Sequence, residues 1–292
     1  MDVVITYVDS NDSVWKQDYQ KYTNVPVMEK RFRDWGTLKY LLRGIEKHMP
    51  FVENVFLVVS HPSQVPAWVD KTRVKVVLHS EFIPEELLPT FNSIPIEIYL
   101  HRIEDLGEEY IYFNDDLFPV KDSKAEDFYR EGKGVLGFSR HLLPFGMFKR
   151  LCRNSDKAAR RALSMPSSPC FLRPQHSCQP MFKSAGAEVY KLLEDDIRGS
   201  MTRTRTSGNI CHYVYMDYAY YTGRMISERI SCKHFSAAVT SPARLTNFIE
   251  NPYRSFMCLN DVKLGEEKFV EMQSAVINAF EKKFPQKSRF EL

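Results

Sequence analysis

Four short runs of β-branched and aromatic residues mark the first part of the chain: Asp2 to Val8, Asn54 to Ser60, Val74 to Leu78 and Glu109 to Asn114. They largely lack polar alternation, the pattern of strands covered on both faces. Ahead of the second run, Leu38, Leu41, Leu42 and Ile45 fall at i, i+3, i+4 and i+7. That spacing predicts an amphipathic helix, with Asp34 placed as its N-cap and Pro50 beyond its end. Ile96, Tyr99, Leu100 and Ile103 repeat the spacing ahead of the fourth run, with Ser93 as a cap and Pro95 near the first turn. Strands alternating with helices predict an α/β architecture, a Rossmann-like and mostly parallel sheet with flanking helices.

Beyond about residue 120 the periodicity loosens. Gly132, Gly134 and Gly137 punctuate one segment, and a Pro-rich stretch runs from Pro166 to Pro180. Helices are expected to dominate this half. Ser255 to Leu259 reads as a late strand, and Phe269, Met272, Val276, Ile277 and Phe280 mark an amphipathic C-terminal helix. No compositional break reads as a linker and no solenoid repeat is visible. The expectation is one domain over 1–292, with an α/β half at 1–120 and a more helical half at 121–292 that carries the late strand.

Composition narrows the function. A chain of 292 residues that is 43% hydrophobic buries a substantial core, as an enzyme would. Its 40 Lys and Arg against 37 Asp and Glu leave a net charge of +3, too little to attract nucleic acid on charge alone. Local basic clusters must therefore carry any binding of anions. The chain enters Val3-Val4-Ile5 with no basic leader and no long apolar stretch, so no signal peptide is expected. Runs such as Val55 to Val59 fall far short of the roughly 18 residues that cross a bilayer as a helix. Six dispersed cysteines read as free, mostly buried thiols in a reducing setting. A cytoplasmic location follows as the expectation, with peripheral membrane attachment left open.

Candidate chemistry gathers where strands stop. Tyr110-Ile111-Tyr112-Phe113 ends in Asn114-Asp115-Asp116, and Phe256-Met257-Cys258-Leu259 ends in Asn260-Asp261. Ligands in open α/β sheets bind beyond the carboxyl ends of strands, and Mg²⁺ takes one or two carboxylates together with phosphate oxygens. If the two ends meet, Asp115, Asp116, Asn260 and Asp261 can hold a metal on a diphosphate; the alternative is a pair of capped turns. Arg33 precedes the first helix, whose N-terminus favours an anion. Lys39 and Arg43 on that helix read equally as a solvated face. Asn92 and Ser93 are suited to cap the next helix or to hydrogen-bond a sugar or phosphate. His176, Arg203 and Arg205 supply a base and two cations of the kind that a transfer to a hydroxyl needs. Lys149, Arg150, Arg153, Lys157, Arg160 and Arg161 form a basic run at helical spacing, either a solvated face or a dock for an anionic glycan or membrane surface.

Several segments, in order, resemble the Stealth proteins, sugar-1-phosphate transferases that include bacterial capsule polymer enzymes and the lysosomal-enzyme GlcNAc-1-phosphotransferase. DVVITYVDSNDSVW resembles the first conserved region, and RFRDWGTLKYLLRGIEKHMPFVENVFLVVS, LPTFNS and YIYFNDDLF resemble the second. The stretch from Arg173 to Ser184, with Arg203 to Gly223, is similar to the third, and FMCLND to the fourth. Tyr7 stands where the family commonly has Trp, and Ser10 where it commonly has Gly. The resemblance implies attack by a glycan hydroxyl on the β-phosphorus of a UDP-hexose such as UDP-GlcNAc, releasing UMP and leaving a phosphodiester. It also implies a Mg²⁺ or Mn²⁺ ion on Asp115, Asp116 and Asp261, nucleotide contacts around Asp9 and Asp34, donor contacts from Arg33, Asn92 and Arg205, and His176 as base. The runner-up chemistry with the same donor and metal is a glycosyltransferase that releases UDP, and the alternative of a different class is a non-catalytic glycan-binding protein whose 15 Tyr and 20 Phe supply sugar-stacking surfaces.

Overall fold

A computed structural model describes residues 1–23, 32–260 and 264–292. Its strands are β1 (Asp2–Thr6), β2 (Asn54–Val59), β3 (Val74–Leu78), β4 (Glu109–Asn114), β5 (Leu117–Pro119), β6 (Tyr129–Arg130), β7 (Lys133–Leu136), β8 (Phe138–His141), β9 (Phe171–Pro174), β10 (Gln179–Phe182), β11 (Met225–Ser227), β12 (Cys232–Ser236) and β13 (Phe256–Asn260). The helices are α1 (Ser13–Tyr22), α2 (Leu38–His48), α3 (His79–Phe82), α4 (Ser93–Tyr99), α5 (Gly146–Ala162), α6 (Lys183–Leu192), α7 (Glu194–Ser200), α8 (Tyr213–Tyr221), α9 (Pro242–Glu250) and α10 (Glu266–Lys283). The fold is mixed α/β, with parallel strand pairs and flanking helices. Its largest sheet has five strands in the order β10-β4-β1-β2-β3. β1, β2 and β4 are buried almost throughout, which is why their sequences run apolar without alternation.

Helix starts differ in detail from the expected caps. α2 begins after Thr37, and the Asp34 carboxylate instead accepts from the Gly36 amide at 3.0 Å in a turn. Gly36 has φ of 68°, a conformation that glycine adopts without a Cβ penalty. At α4 the cap is Asn92 rather than Ser93, with its side-chain oxygen accepting from the Ile94 amide at 3.1 Å. The second half is the more helical one, as its sequence suggests, and it also holds the short strands β6 to β13. Strands of two to five residues are too short to build a legible period.

The chain divides into two compact units whose segments interleave in sequence. One comprises residues 3–76, 113–125 and 231–292. Here β12 and β13 pair in parallel, and β13 pairs with β5 in antiparallel register, with Cys258 opposite Leu117. α2 lies so close to β5 that a Cβ at Gly44 would meet the Pro119 carbonyl oxygen at 2.5 Å. The Phe280 ring packs against Tyr40 at 5.4 Å and Phe118 at 4.9 Å.

The other unit comprises residues 1–2, 77–112 and 126–230. It holds the β11-β7-β6 sheet, the β8–β9 pair and the antiparallel pairing of β10 with β4, which sets Gln179 opposite Tyr112. α5 buries Leu151, Cys152, Ala158 and Ala159 and packs on α8. All six cysteines are free, and four of them are buried.

Candidate functional site

In the unit that begins at Val3, the loop after β1 and the start of α2 bring acidic residues together. The Tyr7 amide donates to the Val58 carbonyl at 3.0 Å, so the chain keeps its strand course one residue past β1. Gln64 then fixes the turn from both sides, accepting from the Asp9 amide at 2.7 Å and donating to the Asp9 carbonyl at 3.0 Å. Asp12 caps α1 by accepting from the Trp15 amide at 2.8 Å. The Tyr7 hydroxyl is buried and hydrogen-bonded to Asp34. Burial, followed by the charges of Asp34, Asp9 and Asp115, pushes this phenol far above its ordinary range. Burial and the nearby Asp9 likewise raise the Asp34 carboxyl. Three carboxylates from separate segments thus share one local field, centred on Tyr7.

Asp115 and Asp116 occupy the turn between β4 and β5. The Asp116 carbonyl accepts from the Leu259 amide at 2.9 Å, and the Cys258 thiol donates to its carboxylate at 3.4 Å. The late strand therefore ends beside the acidic turn. Asn260 pairs with Ser236 in that strand's register, and its carbonyl accepts from the Ala237 amide at 2.8 Å. Asp261, the fourth predicted ligand, lies outside the described residues. Burial and the Asp116 charge push the Cys232 thiol up to about 12, and the same causes hold Cys258 well above the ordinary thiol value. Both thiols are thus protonated at neutral pH in the metal-free protein. The carboxylate oxygens of the turn fit a hard divalent cation such as Mg²⁺ or Mn²⁺, and the Cys258 sulfur stands beside the Asp116 carboxylate.

Arg33, also in this unit, is buried along its side chain and lies over the Phe269 ring at 4.1 Å. One end of its guanidinium reaches the exposed Glu266 at 2.7 Å, while Nη1 is buried with no acceptor among the described residues. Lys39 and Arg43 do not form the solvated or phosphate-binding face that their spacing allows. Arg43 is buried and clasps Glu291 through two bonds of 2.8 Å, with a third to the Phe284 carbonyl at 2.7 Å. Lys39 lies 3.9 Å from Glu281.

In the other unit, residues 200–209 are fastened to the segment that leads into α4. The Phe91 amide donates to the Arg203 carbonyl at 2.9 Å, and Arg203 returns a bond to the Leu88 carbonyl at 3.0 Å. Asn92 is buried and engaged at both ends, capping α4 and donating to the Thr202 carbonyl at 3.0 Å. Its observed work is to fasten the loop. Arg205 donates to Ser93, and its Nε is buried with no acceptor among the described residues.

Behind Ser93 lies a buried polar chain that the sequence did not suggest. His212 bridges Glu97 at 2.6 Å and Gln179 at 2.8 Å, and Tyr112 donates to Glu97 at 3.3 Å. Burial alone would raise Glu97, but His212, Arg205 and a Ser93 hydrogen bond bring its carboxyl down to about 2. Glu97 and His212 are 115 positions apart, one within α4 and the other at the N-cap position of α8, so no local motif flags them. His176 is half-buried and packs edge-on to Phe148 at 6.3 Å. Arg173 lies over the same ring at 5.3 Å.

The unit that begins at Val3 thus holds an acidic cluster around Tyr7 and, in Arg33, a buried donor with no acceptor among the described residues. Residues 31–136 match the model of conserved region 2 of the Stealth proteins. The capsular polysaccharide phosphotransferase LcbA of Aeromonas hydrophila is 31% identical, covering 85% of this chain and 73% of that protein. The capsular polysaccharide phosphotransferase WcwK of Streptococcus pneumoniae is 28% identical over the whole chain and 98% of its own length. A solved galactosyltransferase structure covers 94% of this chain at 11% identity and a TM-score of 0.39, a likeness too slight to bear on fold or ligand. The protein is a transferase enzyme, and it belongs to the Stealth family.

Proposed function

We propose that the protein transfers a hexose-1-phosphate from a UDP-sugar, such as UDP-GlcNAc, to a glycan hydroxyl in the synthesis of capsule or another cell-surface polysaccharide. The products are a phosphodiester and UMP. The observation that carries this reading is the gathering of Asp9, Asp34 and Asp115 around Tyr7, in a chain whose relatives are named capsular polysaccharide phosphotransferases. Such a concentration of carboxylates suits a divalent cation, and Mg²⁺ held by one or two carboxylates leaves positions for phosphate oxygens.

Asp115 and Asp116 would hold Mg²⁺ or Mn²⁺, joined by Asn260 and Asp261 from the end of the late strand. When bound, the metal supplies charge neutralisation for the diphosphate. Asp9 and Asp34 would orient the nucleotide. Arg33 and Arg205 offer buried donors to the phosphates, and the exposed Glu266 is a partner that a phosphate can replace. Ser93 and Arg203 would contact the donor sugar, and Asn92 keeps their loop in place. His176 would take the proton from the attacking hydroxyl. The reaction demands positioning and charge stabilisation more than covalent chemistry, which suits residues of these types.

Incubation with labelled UDP-GlcNAc and an acceptor glycan tests the class of reaction. UMP together with a phosphodiester phosphorus signal is expected; UDP without that signal overturns the reading in favour of glycosyl transfer. Asp115→Ala is expected to lower turnover by at least about a hundredfold while leaving the melting curve unchanged. Undiminished turnover in that variant at low Mg²⁺ would remove Asp115 from the metal.

A further inference from the structure

The turn between β8 and α5 places large apolar side chains in water. Leu142 is 57% exposed, Leu143 55%, Phe145 74% and Met147 46%, all within six residues. Exposed apolar groups scattered singly need no explanation, but a contiguous set rimmed by polar residues marks an interaction surface. Gly146, with φ of 78°, turns the chain from this apolar tip into α5.

The charge around the tip has one sign. From Gly132 to Ser155 the sequence contains no Asp or Glu, while Arg140 precedes the tip and Lys149, Arg150 and Arg153 follow it. Arg150, Arg153, Lys157 and Arg161 are exposed along α5. Among the described residues, the ion pairs of α5 are Arg160 with Asp156 and Arg161 with Asp196; Lys149, Arg150, Arg153 and Lys157 have none. No described helix is long and apolar enough to cross a membrane.

We propose that the 142–147 tip inserts into the interfacial layer of an anionic phospholipid bilayer, with Arg140, Lys149, Arg150 and Arg153 on the lipid headgroups. The two halves of the feature select this occupant together. An anionic glycan or phosphate would engage the cations and leave the aliphatic side chains wet. A second copy of the chain would cover the apolar residues but set like charges against one another. An anionic membrane satisfies both, because acyl chains take the tip and the surface potential takes the rim. The inference rests on exposure and charge and is independent of which donor the enzyme uses.

Co-sedimentation of the full chain with vesicles tests it, using phosphatidylcholine alone and phosphatidylcholine with a minority of phosphatidylglycerol. Binding to the anionic vesicles is expected to be at least about tenfold tighter and to weaken with salt. The triple variant Leu142→Ser, Leu143→Ser, Phe145→Ser is expected to lose vesicle binding with an unchanged melting curve. Lys149→Glu with Arg150→Glu is expected to abolish the preference for anionic lipid. Phe145→Trp is expected to gain a fluorescence component that lipids with brominated chains quench on vesicle addition. Absence of binding by the unaltered chain, equal binding by the triple serine variant, or a dimer in light scattering that the triple variant dissolves would each overturn the proposal.

Discussion

Asp217 is fully buried in α8, and neither carboxylate oxygen has a hydrogen-bond partner among the described residues. Burial and the neighbouring Asp156 hold its pKa well above the ordinary value, against an opposing pull from Arg160. The group is therefore neutral when folded and ionised when unfolded. As pH rises above the unfolded value, the native state loses about 1.4 kcal/mol per pH unit until the folded pKa is passed. Asp217→Asn is expected to raise the melting temperature near neutral pH and to change it little in acid. A melting series in buffers of rising pH checks this, and a gain that stays constant with pH would speak against it. The sequence shows an Asp within a tyrosine-rich stretch; its cost arises only from what surrounds it.

Among the elements, α4 is tied to β10 through His212, which bridges Glu97 and Gln179. Glu97 is held at about 2, with burial opposing and His212 and Arg205 favouring its charged form. Its contribution is fully present above the ordinary glutamate value of 4.5 and is lost as pH falls from there towards about 2. Glu97→Gln is expected to cost about 3 kcal/mol near neutral pH and to flatten the stability profile across that acid window. Urea melts at several pH values measure both effects. The helix itself is legible, because Asn92 and the apolar spacing announce α4. The pairing of Glu97 with His212 is not, because a residue on the buried face of one helix finds its partner at the start of another.

For the molecule as a whole, the C-terminal segment closes its unit through contacts that are distant in sequence. The Asp70 amide donates to the Phe290 carbonyl at 2.9 Å, and the Leu292 amide donates to the Trp68 carbonyl at 2.8 Å. Glu291 receives the buried Arg43, its carboxyl held low by that guanidinium and by Ser288 despite burial. Arg43→Met is expected to cost about 3 to 5 kcal/mol, because it strands Glu291 inside. Arg43→Met with Glu291→Leu is expected to recover most of that loss, and equal instability in the single and double variants would mean that the pair is not the cause. Arg43 is thus the residue for which helical spacing misled most. A cation on the exposed side of an idealised wheel is solvated only if nothing packs over it, and here the last residues of the chain do.

The sequence alone determined the α/β class, the positions of β1 to β4 to within one or two residues, the helices α2, α4 and α10, and the acidic turn at Asp115 and Asp116. All of these follow from local causes: apolar runs that need burial, capping groups adjacent in the chain, and carboxylates where a strand must stop. Tertiary structure decided that Asp9, Asp34 and Asp115 share one field around Tyr7, that the late strand ends beside Asp116, and that Arg43, Asn92 and Glu97 are engaged inside. Each of these depends on which distant segment arrives to pair, pack or desolvate a group, and a side chain's charge state and partners are set by that arrival.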